Sequence, residues 1–67
     1  MYPNLRAEMA RNKITASELA EKLGITISTM SMKLNGKSDF SLKEALKIRA
    51  ILGTDMPTEV LFEIDAA

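Results

Sequence analysis

The chain reads as an all-α domain, and three observations predict this. No segment alternates apolar and polar residues as a half-buried strand does. Two quartets, Thr15-Ala16-Ser17-Glu18 and Ser41-Leu42-Lys43-Glu44, have the spacing of capping boxes, in which a hydroxyl and a carboxylate satisfy each other's backbone amides at a helix start. Gly24, Gly36 and Gly53 each follow an apolar-periodic stretch, where a helix needs a residue that turns left-handed without steric cost.

Five short helices account for the chain. The first runs from about Asn4 to Asn12, with Pro3 just before it and with Leu5 and Met9 on one face. Thr15 caps the second, whose Leu19, Ala20 and Leu23 line one side before Gly24 stops it; Ile25 then plugs the angle to the next helix. Thr26 is the natural cap of the third, which spans Ile27 to about Asn35, turns Met30 and Leu34 to the core and ends at Gly36. Residues 37–40 form a loop with Phe40 turned inward. The fourth helix opens at Ser41, carries an inner stripe of Leu42, Ala45, Ile48 and Leu52, and stops at Gly53. Pro57 lies in the first turn of a fifth helix that reaches about Phe62.

Sixty-seven residues make one domain, 1–67, near the lower size limit for folding without a staple. There is no cysteine and no histidine, so disulfides, thiolate or imidazole metal sites and the usual general base are excluded. The carboxylates are scattered among lysines at helix-surface spacing, and no glycine-rich phosphate loop occurs, so an enzyme is not expected, nor a cofactor, a metal or a small-molecule ligand. No apolar run approaches a membrane span, and the first residues lack the apolar core of a signal peptide. A cytoplasmic protein is expected.

Nine basic and nine acidic side chains cancel, but unevenly: residues 1–37 carry a formal charge of +3 and residues 38–67 carry −3. A basic half permits a nucleic-acid face. Two helices joined by a tight turn, over about residues 15–36, have the layout of a helix-turn-helix, whose second helix enters the major groove of DNA.

The run Leu19-Ala20-Glu21-Lys22-Leu23-Gly24-Ile25-Thr26, followed by Thr29-Met30-Ser31 and Leu34-Asn35-Gly36-Lys37, resembles the Cro/C1-type (XRE-like) helix-turn-helix family of phage-repressor-like DNA-binding domains. The resemblance covers nearly the whole chain, from Asn4-Leu5-Arg6 to Gly53, and Lys33 to Phe40 is similar to small phage or prophage regulators. It implies a compact five-helix, lambda-repressor-like domain with the third helix, about 27–35, as recognition helix. Family base contacts, carried over by position, fall on Ile27, Ser28, Ser31 and Met32. Phosphate contacts fall on Ala16, Ser17, Asn35, Lys37 and Ser38, with Thr26 and Lys33 as further backbone contacts.

The chain departs from the family where many members carry glutamine or arginine: here Ala16, Ile27 and Met32 stand in those places. They cannot make bidentate bonds to adenine or guanine, but they can pack on thymine methyl groups. Ile27 also fits i, i+3, i+7 with Met30 and Leu34, which would make it core.

The expected partner is double-stranded DNA, bound by a homodimer in transcriptional regulation. The surplus apolar residues Val60, Leu61 and Ile64 are the candidates for the dimer contact, with closure of the small core as the other reading of that cluster and Phe62 as its expected core member. The alternative function is a protein-interaction module that keeps the fold without binding DNA; zero net charge and the apolar Ala16, Ile27 and Met32 favour it.

Overall fold

The computed structural model describes residues 1–65. Five helices follow in order: α1 (Pro3–Arg11), α2 (Ala16–Leu23), α3 (Ile27–Leu34), α4 (Leu42–Leu52) and α5 (Thr58–Leu61), with no strand among the described residues. Both expected capping boxes are formed. Glu18 N–H donates to Thr15 Oγ1 at 3.2 Å and Glu44 N–H to Ser41 Oγ at 3.1 Å, while each glutamate reaches back to the amide of its cap.

The ends of α1, α2 and α3 share one device. Ile14, Ile25 and Lys37 donate their backbone N–H to the carbonyls of Met9, Ala20 and Met32, five residues back, at 2.9, 3.0 and 2.9 Å. The turn requires a left-handed residue just before the donor. Gly24 and Gly36 supply it after α2 and α3 (φ 72° and 78°), but after α1 the position is held by Lys13 (φ 55°).

One apolar cluster holds the helices together: Leu5 and Met9 of α1, Leu19 and Ala20 of α2, Met30 and Leu34 of α3, Ile48 and Leu52 of α4, and Leu61 of α5. Here α3 packs chiefly on α2, α2 on α4, α4 on α5, and α1 on α5. The N-terminal residues finish the closure. Tyr2 is buried and meets Phe40 and Phe62 edge-on at 5.3 and 6.1 Å, and Phe40 meets Phe62 at 5.1 Å. Each such pair adds ~0.5–1.5 kcal/mol beyond area burial.

Three expectations about the core are corrected. Leu42, placed on the inner stripe of α4, is 72% exposed: as the first helical residue it sits at the rim, while Ala45, Ile48 and Leu52 face inward. Leu61, assigned to a dimer contact, is 0% exposed, because the single turn of α5 points it into the cluster of α1 and α4. Phe62, expected as the core member, is only half-buried beside it. Pro57 also stands one place earlier than expected, as the cap of α5 rather than in its first turn.

Glu8 of α1 is buried. Arg11 Nη2 donates to its carboxylate at 2.7 Å. That bond, helped by the Thr54 hydroxyl, holds the Glu8 carboxyl below the ordinary carboxylate range despite its burial.

Candidate nucleic-acid interface

Helix α3 has one buried side and one bare side. Successive helical residues turn by ~100°, so Met30 and Leu34 lie together facing the core, and Ile27, Ser31, Asn35, Ser28 and Met32 follow one another around an arc that begins beside Leu34 and ends, at Met32, on the side away from the core. All five are exposed. Ile27 is 56% and Met32 48% exposed, which settles the alternative of Ile27 as a core residue against it. The hydrophobic demand of α3 is met by Met30 and Leu34 alone.

The four residues carried over as base contacts, Ile27, Ser28, Ser31 and Met32, are therefore brought onto one surface. An eight-residue helix is ~12 Å long, comparable with the ~12 Å width of the major groove. Thr26 caps it: Thr29 N–H donates to Thr26 Oγ1 at 3.1 Å, and the two hydroxyls are 2.9 Å apart. Unlike α2 and α4, α3 has no acidic residue in its first turn. The positive end of its dipole is left for an external anion. The whole stretch 25–38 holds Lys33 and Lys37 and no carboxylate.

Of the residues carried over as phosphate contacts, Ser17, Thr26, Asn35 and Lys37 are exposed. Ser38 is half-buried, and Ala16 is half-buried with its methyl packed on the core. Lys33 is corrected. Its ammonium donates to Asp39 O at 2.8 Å and to Glu44 Oε1 at 3.1 Å, and its side chain is largely covered. It fastens α3 to the loop and to the first turn of α4, and its charge is already spent there. The loop keeps one exposed cation, Lys37.

Arg6 is a positioning residue that the sequence reading missed. Its Nη2 donates to Leu34 O at 3.1 Å and to Asn35 Oδ1 at 3.3 Å, and its Nε donates to Met1 O at 2.9 Å. One guanidinium from α1 thus satisfies a bare carbonyl at the end of α3 and turns the Asn35 amide so that Nδ2 points along the exposed arc, 3.5 Å from Ser31 Oγ. The partners are 28 and 29 residues away, and no local pattern reports them.

The bare arc therefore offers two methyl-rich groups (Ile27, Met32), two hydroxyls (Ser28, Ser31) and one oriented amide (Asn35), backed by a rigid core. Groups of these kinds can meet base edges, the apolar ones against thymine methyls and the hydroxyls through loosely specific bonds. A family model described as a Cro/C1-type HTH DNA-binding domain matches residues 4–62. No curated protein and no solved structure matches the chain. The matched residues run from the second residue of α1 through α5, include every group on the arc, and carry the α2–α3 geometry described above. This chain belongs to the family of Cro/C1-type HTH DNA-binding domains.

Proposed function

We propose that the chain is a sequence-specific, double-stranded DNA-binding regulator of transcription, of the phage or prophage type, acting as a single domain in the cytoplasm. Helix α3 lies in the major groove with Ile27, Ser28, Ser31 and Met32 toward base edges. Thr26, Ser17, Asn35, Lys37 and the free amides of the α2 and α3 starts meet phosphates on either side. The observation that carries this reading is the exposed, carboxylate-free arc of α3, set on a core that makes no use of it.

One domain of this size buries only ~600–1,000 Å² of its surface on DNA. Two copies on half-sites one helical turn apart raise both affinity and specificity, and a homodimer is the form proposed here. With few free cations on the face, sequence discrimination rests on methyl contacts and on DNA shape.

The test is a fluorescence-anisotropy titration of labelled duplex DNA between about 50 and 200 mM salt. The reading predicts affinity that falls with salt for wild type and a loss of binding in Ile27→Asp. A second reading, a protein-docking module, is favoured by the exposure of Ile27 and Met32. It predicts no duplex binding at any salt concentration.

A further inference from the structure

Helix α4 also has an outer face that the core does not use. Leu42, Leu46 and Ala50 stand at i, i+4 and i+8 and are all exposed, forming an apolar ridge along the helix. Leu42 is 72% and Leu46 50% exposed, where only 11 apolar residues are buried among those described. Lys43 and Lys47 run parallel to the ridge on one flank, both exposed. On the other flank lies an open groove of ≈ 570 Å³, walled by the apolar Tyr2, Phe40, Leu42, Ala45 and Phe62 and by the polar Asp39, Ser41, Thr58 and Glu59. Glu59 is exposed on the far wall, and Glu63, also exposed, follows it beyond α5. The three ion pairs among the described residues use none of Lys43, Lys47, Glu59 and Glu63.

The order across this surface is therefore basic flank, apolar ridge, a groove with an aromatic floor and polar residues among its walls, and the acidic Glu59 side. The geometry points to a second copy of this chain as its occupant. A two-fold axis parallel to α4, placed between ridge and groove, maps each side onto the other. The Leu42–Leu46 ridge of one copy then enters the groove of its partner, and Lys43 and Lys47 come over the Glu59 side. Such a self-complementary patch is what an isologous contact requires. The inference rests on the dimeric reading given above and assigns its surface. Val60 and Ile64, the remaining exposed apolar residues of the C-terminal segment, form no comparable ridge, since α5 ends at Leu61 and no helix carries both on one face.

The patch has fewer residues than the 20–30 a side of a standard interface, so the dimer is a weak one that DNA reinforces. Sedimentation equilibrium of the full chain without DNA reads it directly. Wild type is expected to associate reversibly. Leu46→Asp is expected to weaken association at least ~100-fold, because symmetry buries two unpaired charges, with an unchanged melting temperature because Leu46 lies outside the core. Lys47→Glu is expected to weaken it roughly three- to tenfold, the change counting twice in the dimer. The double variant Lys47→Glu, Glu59→Lys is expected to restore it. Val60→Asp is expected to leave it intact.

A wild type that stays monomeric at millimolar concentration overturns the proposal. So does an unaffected Leu46→Asp, or a double variant no better than Lys47→Glu alone. The DNA titration reports separately. If monomers still bind a chosen duplex sequence, only this surface fails; if the dimer forms but no duplex binds, the DNA reading fails and the surface stands.

Discussion

Lys33 and Glu44 join α3 to the first turn of α4, with Nζ 3.1 Å from Oε1 and the same ammonium donating to Asp39 O at 2.8 Å. The Glu44 carboxylate also accepts from the Ser41 amide at 2.9 Å, so one side chain caps α4 and holds α3. Lys33→Ala is expected to lower unfolding free energy by ~1.5–3 kcal/mol, the usual worth of a hydrogen bond to a charged group. Urea unfolding measures it. An unchanged midpoint would show that the clamp does not hold the helix.

Acid should release that clamp before it melts the helices. The Ser41 amide first, and Lys33 after the opposing effect of burial, hold the Glu44 carboxyl below its ordinary value of 4.5. Arg11 and Thr54 do the same for Glu8. Both carboxyls have lower values folded than unfolded, so folding favours their charged forms. Stability from them is complete above about pH 4.5 and is lost as the pH falls through the lower folded values. Thermal melts from pH 7 downward are expected to be flat until that range and then to fall. Glu44→Gln is expected to flatten the decline, and a decline as steep as wild type would assign it to other groups.

Lys13 occupies a left-handed turn position that glycine fills after α2 and α3. Left-handed backbone costs a residue with a side chain ~1–2 kcal/mol, partly offset by the greater freedom of glycine when unfolded. Lys13→Gly is therefore expected to stabilise the domain by up to ~1 kcal/mol, read as a rise in melting temperature. A fall would mean that the Lys13 side chain makes a contact worth more than the strain.

Lys33 and Lys37 are four residues apart and are expected to behave differently on DNA. Lys37 is exposed and free to meet a phosphate, whereas Lys33 is already paired. Lys37→Ala is expected to reduce the slope of log K against log salt by about 1 per protomer, while Lys33→Ala changes stability and leaves the slope nearly as it was. Equal slopes for both variants would remove the distinction.

Leu61 and Ile27 separate core from surface. Leu61→Ala is expected to cost ~2–5 kcal/mol, since it opens a cavity in the apolar cluster that joins the five helices. Ile27→Asp is expected to change stability by less than ~0.5 kcal/mol and to abolish duplex binding. Calorimetry and anisotropy on the two variants check both halves.

The helices were legible because their ends are written locally. Thr15 with Glu18, Ser41 with Glu44, and the stops at Gly24 and Gly36 lie within a few residues of what they cap. The bare arc of α3 was legible for a similar reason, since Met30 and Leu34 already supply its core contacts. What escaped depends on residues distant in the chain. Arg6 reaches Leu34 and Asn35, Tyr2 meets Phe40 and Phe62, and Asn4 Nδ2 donates to Val60 O across 56 positions. The reversed roles of Leu61 and Phe62 have the same origin: in a helix of one turn, the direction of each side chain is set by where α1 and α4 stand and not by any period. Lys33 was misread because its charge suits phosphate and carboxylate equally, and only the fold brings Glu44 within reach.

The central claim is that the exposed arc of α3 reads double-stranded DNA by sequence. In vitro selection from a random duplex pool, with the affinity of the winner followed against salt, tests it most directly. Enrichment of a two-fold symmetric site is expected, with binding that weakens with salt and with loss of that enrichment in Ile27→Asp. Uniform weak binding to all sequences, unchanged by Ile27→Asp, would contradict it and leave the arc as a surface for another protein.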